Sequence, residues 1–185
     1  MLESLSLDGK VVVITGGGTG LGLAMVRALA RAGANISIAG RSQGPIDDAA
    51  AEVKALGGGS LAVSTDVTDS VQVDRMIAAT IERFGRIDVL VNNAAWRARG
   101  DLLSISSEDW SAAMAVNLHA PFLVCKAVIG GMVDRRWGRI INYSGISPFR
   151  GASGQGTLKM ACEGLTRAIA NEYGKYNITA NGIGP

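Results

Sequence analysis

The chain has 185 residues, 48% of them hydrophobic and 18% charged, with a net charge of +2 and 25 glycines against 4 prolines. That apolar share can offset the entropy of ordering, which excludes a disordered chain, and the glycines follow no period-three pattern of the collagen kind. With no basic cluster longer than Asp134-Arg135-Arg136, and with only Cys125 and Cys162 far apart, the chain is not expected to bind nucleic acid, hold a metal or rest on disulfides.

Lys10-Val11-Val12-Val13-Ile14 is a β-branched run ended by glycines, as expected of a strand buried on both faces. Residues 20–32, with Leu21, Leu23, Met25, Val26 and Leu29 among alanines, predict a mostly buried helix closed by Gly33. A second strand follows over 35–39, a second helix over 47–56 and a third strand over 61–63. Val73, Ile77, Ile81 and Phe84 fall at helical spacing, and Ile87-Asp88-Val89-Leu90-Val91 predicts the fourth strand. A long helix is expected over 108–133, where Trp110, Met114, Leu118 and Phe122 recur every four residues. A fifth strand over 139–143, a helix over 156–174 and a sixth strand over 177–181 complete the chain. Regular alternation of β and α elements with short turns predicts an α/β fold, a Rossmann-type doubly wound parallel sheet with helices on both faces. Six strands in the order 3-2-1-4-5-6 form one domain over 1–185.

The first βα turn reads Thr15-Gly16-Gly17-Gly18-Thr19-Gly20-Leu21-Gly22, which fits T-G-x-x-x-G-x-G and not G-x-G-x-x-G. Backbone N–H groups at the opening of a helix, on the positive end of its dipole, suit a diphosphate, and glycines let it approach without a Cβ clash. Gly16, Gly18, Thr19, Gly20, Leu21 and Gly22 are therefore the candidate cradle. At the end of the second strand stands Ala39-Gly40-Arg41-Ser42, with no carboxylate before Asp47. An acidic residue there would take a ribose 2′-hydroxyl, whereas Arg41 can pair with a 2′-phosphate, so NADP(H) is expected, with NAD(H) as the alternative.

The T-G-x-x-x-G-x-G turn, with several motifs in matching order, resembles the short-chain dehydrogenase/reductase family over almost the whole chain. Asp66-Val67 resembles the family's adenine-contacting pair. Asn92-Asn93-Ala94-Ala95 resembles its N-N-A-G, with Ala95 in place of glycine, and brings Asn93 and Ala94 into the coenzyme set. Asn117 matches the family's catalytic-site asparagine. The run from Lys159 through Gly164-Leu165-Thr166 to Asn181-Gly182-Ile183-Gly184-Pro185 matches the stretch from its active-site lysine to the proline after strand six, and the resemblance places Lys159 in the coenzyme set as well. The resemblance implies carbonyl–alcohol interconversion on a small-molecule substrate. It also implies pairing of the two long helices in a homodimer or homotetramer, and a substrate-covering segment beyond Pro185.

The same resemblance implies a tyrosine four residues before the lysine, its pKa lowered so that it exchanges a proton with the substrate. Here Gln155 stands four residues before Lys159, and Gly145 stands at the serine position, with Ser144 one residue earlier. Counting forward from strand five and backward from Pro185 differs by three residues, so the loop 146–154 reads as shortened. Three readings stay open. An enzyme could use Ser144, Tyr143, Ser153 or a water held by Asn117 and Lys159. A nucleotide-binding pseudoenzyme could act as a structural or regulatory partner. The chain could also be a variant of an active reductase. Tyr143 is expected to pack inward from strand five, Cys162 to be a packing residue, and His119 to face away from Asn117. Trp96, Arg97 and Arg99 stand where a substrate entrance would be. No apolar run is read as reaching the roughly 18 residues of a bilayer span, and the start lacks a signal-peptide pattern, so a cytoplasmic protein without membrane contact is expected.

Overall fold

The computed structural model describes residues 6–97, 101–144 and 156–184. Gly145, Ser153, Gln155, the loop 146–154, Arg99 and Pro185 lie outside the described residues. The strands are β1 (Val11–Thr15), β2 (Asn35–Gly40), β3 (Ser60–Ser64), β4 (Val89–Asn92), β5 (Gly138–Tyr143) and β6 (Ile178–Ile183). They form a parallel sheet in the order β3-β2-β1-β4-β5-β6, as expected. The order reverses between β1 and β4, where Thr15 pairs in register with Asn92.

Helices α1 (Gly20–Arg31) and α2 (Gln43–Ala55) cover one face. Their contacts with Val12, Ile14, Ile36 and Ile38 build one core cluster. On the other face lie α3 (Ser70–Phe84), α5 (Ala120–Asp134) and α6 (Gly156–Tyr173), over Val13, Leu90, Ile140 and Ile178. Each fully buried Ile or Leu side chain contributes about 1.5–3 kcal/mol. Asp69 starts α3 by accepting from the N–H groups of Val71 and Gln72, and Gly85, in the left-handed region, ends it.

Several boundaries differ from expectation. Helix α2 starts at Gln43 rather than Asp47, because Pro45 in the first turn has no intrahelical bond to lose. The long helix is α4 (Ser107–Met114), a π turn (Ala115–His119) and α5, one after another. Its buried side carries Ala113, Asn117, Val124 and Val128, whereas Met114 and Phe122 of the four-residue stripe are exposed. The expectation about membrane length is corrected too: Ser107–Asp134 is long and apolar enough for a span, and 44% of its apolar window is buried inside the protein. Tyr143 is half-buried at the end of β5 rather than packed in the core, because it sits at the sheet's carboxyl edge.

Candidate active site

The turn after β1 and the segment after β4 are tied together. Asn93 Nδ2 donates to the carbonyls of Thr15 and Gly16, both at 3.0 Å. In return Thr15 Oγ1 accepts from the N–H groups of Asn93 and Ala94, at 3.1 and 3.0 Å. Gly22 packs so closely that a Cβ there would overlap the Gly16 carbonyl oxygen. Gly16 and Gly20 have φ of 66° and 54°, the left-handed region that favours glycine. Thr19, the N-cap of α1, makes no side-chain cap bond, and the first turn holds no acidic residue.

Beside this turn opens a cavity of about 610 Å³. Gly16, Gly18, Thr19, Leu21 and Gly22 line one side, Arg41, Ser42 and Pro45 the end of β2, and Asp66, Val67 and Thr68 the end of β3. Asn93, Ala94, Ala95 and Trp96, with Ala112, Ala115 and Val116, close it from β4 and the long helix. Of the predicted coenzyme residues, Gly20 and Lys159 alone stand outside this lining. Asp66 is oriented by its own turn: its Oδ1 accepts from Thr68 N–H at 2.9 Å and Thr68 Oγ1 at 2.7 Å, while its N–H donates to Gln72 Oε1. Sequence reasoning did not single out Thr15, Ser42 or Pro45, although each follows or ends a strand on the side where open α/β sheets bind ligands.

A dinucleotide fits these residues. The first-turn N–H groups of α1 have no capping side chain to compete for them, and no carboxylate stands in that turn to repel a diphosphate. Among the described residues, exposed Arg41 supplies the one cation in the cavity lining, at the end where β2 delivers it.

The residues expected to carry the chemistry stand outside this lining. Asn117, 4% exposed in the π turn, donates from Nδ2 to the carbonyls of Trp96 at 2.7 Å and Ala113 at 2.9 Å. Lys159, near the start of α6, donates from Nζ to the Tyr143 carbonyl at 2.9 Å. Burial lowers its pKa below the usual value, and the neighbouring Cys162 thiol opposes that weakly. Ser144 is buried, its N–H bonded to the Ile183 carbonyl at 3.0 Å and its Oγ 3.5 Å from the same oxygen, so its hydroxyl faces β6. Neither Asn117, Ser144 nor Lys159 lines the cavity among the described residues. Cys162 is 1% exposed and packs, with burial raising its thiol pKa. His119 is exposed beside Phe122, away from Asn117. Trp96 lines the cavity while Arg97 is exposed.

A parallel sheet wound in this order, with a glycine turn opening α1 at its switch point, defines a dinucleotide-binding α/β protein. The family model described as short chain dehydrogenase matches residues 10–185, and the chain belongs to that family. Among its relatives, the 3-oxoacyl-[acyl-carrier-protein] reductase of Synechocystis sp. is 35% identical over 184 residues, covering 97% of this chain and 74% of that protein. The gluconate 5-dehydrogenase of Gluconobacter oxydans is 33% identical over 192 residues, covering 99% of this chain and 73% of the relative. In structure, a gluconate 5-dehydrogenase from Burkholderia cenocepacia, in complex with NADP and tartrate, superposes with a TM-score of 0.93 at 35% identity, over 100% of this chain and 73% of its own. An NAD+-bound xylitol dehydrogenase superposes with a TM-score of 0.93 at 31% identity, over 96% of this chain and 70% of its own.

Proposed function

We propose that the protein is an NADP(H)-dependent oxidoreductase interconverting a carbonyl and an alcohol on a small-molecule substrate. The observation that carries this reading is the cavity in which the uncapped N-terminus of α1 and Arg41 face one space. The bound coenzyme would supply the hydride chemistry. The protein's own part is to hold the diphosphate on the N–H groups from Gly16 to Gly22, to pair Arg41 with a 2′-phosphate, and to hold Lys159 Nζ, bonded to the Tyr143 carbonyl, beside the reacting end. Asp66 and Val67 border the space for the adenine. Family membership supports the reaction class, and the NADP complex of the gluconate 5-dehydrogenase supports the coenzyme, although the xylitol dehydrogenase neighbour carries NAD+. Calorimetric titration with NADPH and NADH tests the choice, with tighter NADPH binding expected. Loss of NADPH absorbance with a panel of ketones and aldehydes tests the reaction.

A second reading, a nucleotide-binding pseudoenzyme with a structural or regulatory role, is favoured by Gln155 four residues before Lys159 and by the Ser144 hydroxyl facing the Ile183 carbonyl. Coenzyme binding without any turnover would select it. We also propose a homodimer or homotetramer formed through the long helices, because Met114, Phe122 and Met160 leave apolar surface exposed there. A monomeric mass by light scattering would overturn that assembly. Two buried free cysteines and a nicotinamide coenzyme support a cytoplasmic location.

A further inference from the structure

A line of buried polar side chains crosses the core behind Lys159. Asn92, on β4, lies level with Asn142 on β5 and donates from Nδ2 to its Oδ1 at 2.8 Å. Asn142 Nδ2 donates to Thr166 Oγ1 at 2.9 Å, and Thr166 Oγ1 donates to the Cys162 carbonyl at 2.8 Å. All three side chains are at most 5% exposed. The line therefore starts on a central strand and ends on the backbone of α6. Its first member adjoins Asn93, the residue that holds the glycine turn.

Thr166 lies seven residues beyond Lys159, two helical turns along and on the same face. Helix α6 is thus bonded to β5 at two heights: Thr166 takes the Asn142 amide, and Lys159 reaches the carbonyl of the next residue, Tyr143. Apolar contacts around them, from Ile169, Leu165 and Ala170, resist separation of helix and sheet but specify rotation and sliding only loosely. Directional bonds in a dry interior specify both, since each unmet group there is costly. A buried polar line of this kind adds little net stability over apolar residues of the same shape, and what it can add is a unique register.

We propose that Asn142 and Thr166 are positioning residues, which set the register of α6 on β5 and so fix Lys159 Nζ relative to the coenzyme turn. The proposal rests on the reading of Lys159 as a residue of the coenzyme site. Removal of the Thr166 hydroxyl frees the helix to rotate and moves Nζ off the Tyr143 carbonyl.

Trace labelling of the folded protein with acetic anhydride, read by mass spectrometry against exposed Lys54, tests this. In Thr166→Val, Lys159 should label about three- to tenfold faster, the scale expected for one lost buried hydrogen bond. Its labelling should also respond to pH differently, because Nζ has left its acceptor. Thr166→Ser keeps the hydroxyl and should restore the original rate and pH profile. Asn142→Ser, too short to reach Thr166, should repeat the Thr166→Val result. Unchanged Lys159 labelling in the two disruptive variants, or no rescue by serine, overturns the proposal. So does failure of both to fold, which would mark the line as core structure alone. The coenzyme reading is tested separately in the unaltered protein, where NADPH should protect Lys159 from labelling. No protection would remove Lys159 from the coenzyme site while leaving its register open to the first comparison.

Discussion

The side chain of Asn117 holds the main chain of Trp96: its Nδ2 donates to the Trp96 carbonyl at 2.7 Å and, with its other hydrogen, to the Ala113 carbonyl at 2.9 Å. Both hydrogens of the amide are thereby engaged in joining the π turn to the segment leaving β4. Trp96 in turn lines the cavity and packs against Ala113 and Leu158. The asparagine thus shapes the cavity wall at one remove, and only its Oδ1 and main chain are left to hold a water.

Asn117→Ala should lower stability by about 1–3 kcal/mol, because it leaves a buried carbonyl without its donor. Urea denaturation measures the loss. An unchanged midpoint would mean that water replaces the amide, and that Trp96 does not depend on it.

Gly22→Ala should be far more damaging than Gly44→Ala. At Gly22 a Cβ would overlap the Gly16 carbonyl oxygen and lie 2.7 Å from Asn93 Nδ2, whereas at Gly44 it would meet nothing within 4 Å. Overpacking of this kind costs typically about 1–3 kcal/mol, and the displaced turn should bind NADPH at least about tenfold more weakly. Gly44→Ala, inside α2, should be neutral or stabilise by up to about 1 kcal/mol. Equal effects at the two positions would refute close packing of the turn.

Arg41→Ala should weaken NADPH binding by about ten- to a hundredfold, the equivalent of losing a charge-assisted hydrogen bond of about 1.5–3 kcal/mol. NADH, which has no 2′-phosphate, should bind as before. Calorimetry with both coenzymes distinguishes the outcomes, and a parallel loss for NADH would assign Arg41 a role other than 2′-phosphate recognition.

The strand order and the glycine turn were legible because both rest on local patterns: β-branched runs, glycines and the alternation of periods. The π turn at Ala115–His119 was not, since a shift from i+4 to i+5 bonding leaves no trace in residue spacing. The stripe Trp110, Met114, Leu118 and Phe122 identified a helix correctly. The sheet is instead met by small and β-branched residues such as Val124, Cys125 and Val128. Asn92, Asn142 and Thr166 are separated by 50 and 24 residues, so only the register of parallel strands brings them together. The expected start of the second helix at Asp47 left Gly44 and Pro45 outside it, although a proline in the first turn of a helix forfeits no bond.

Gln155→Tyr should raise the rate of NADPH consumption with a responsive ketone. A missing general acid costs about 10²–10⁴ in rate, and restoring the phenol four residues before Lys159 should recover part of that. Stopped-time absorbance assays of both proteins measure the gain. Absence of any gain would mean that the segment before α6 does not bring position 155 to the reacting end.

Lys159 gives a pH dependence whose sign can be worked out. Burial holds its ammonium below the usual pKa of 10.5, so the folded protein releases this proton before the unfolded chain does. Between those two values the unfolded chain binds more protons, and stability rises with pH. Below the folded value both forms are protonated and the burial cost is felt in full; above 10.5 both are neutral and it is gone. Relative to Lys159→Met, the unaltered protein should therefore gain stability as pH climbs towards 10.5, as read from urea midpoints at successive pH values. The bond from Nζ to the Tyr143 carbonyl pulls the other way, because it favours the charged form. A relative stability that falls with rising pH would mean that this bond outweighs burial and that Lys159 keeps its proton more firmly than an exposed lysine.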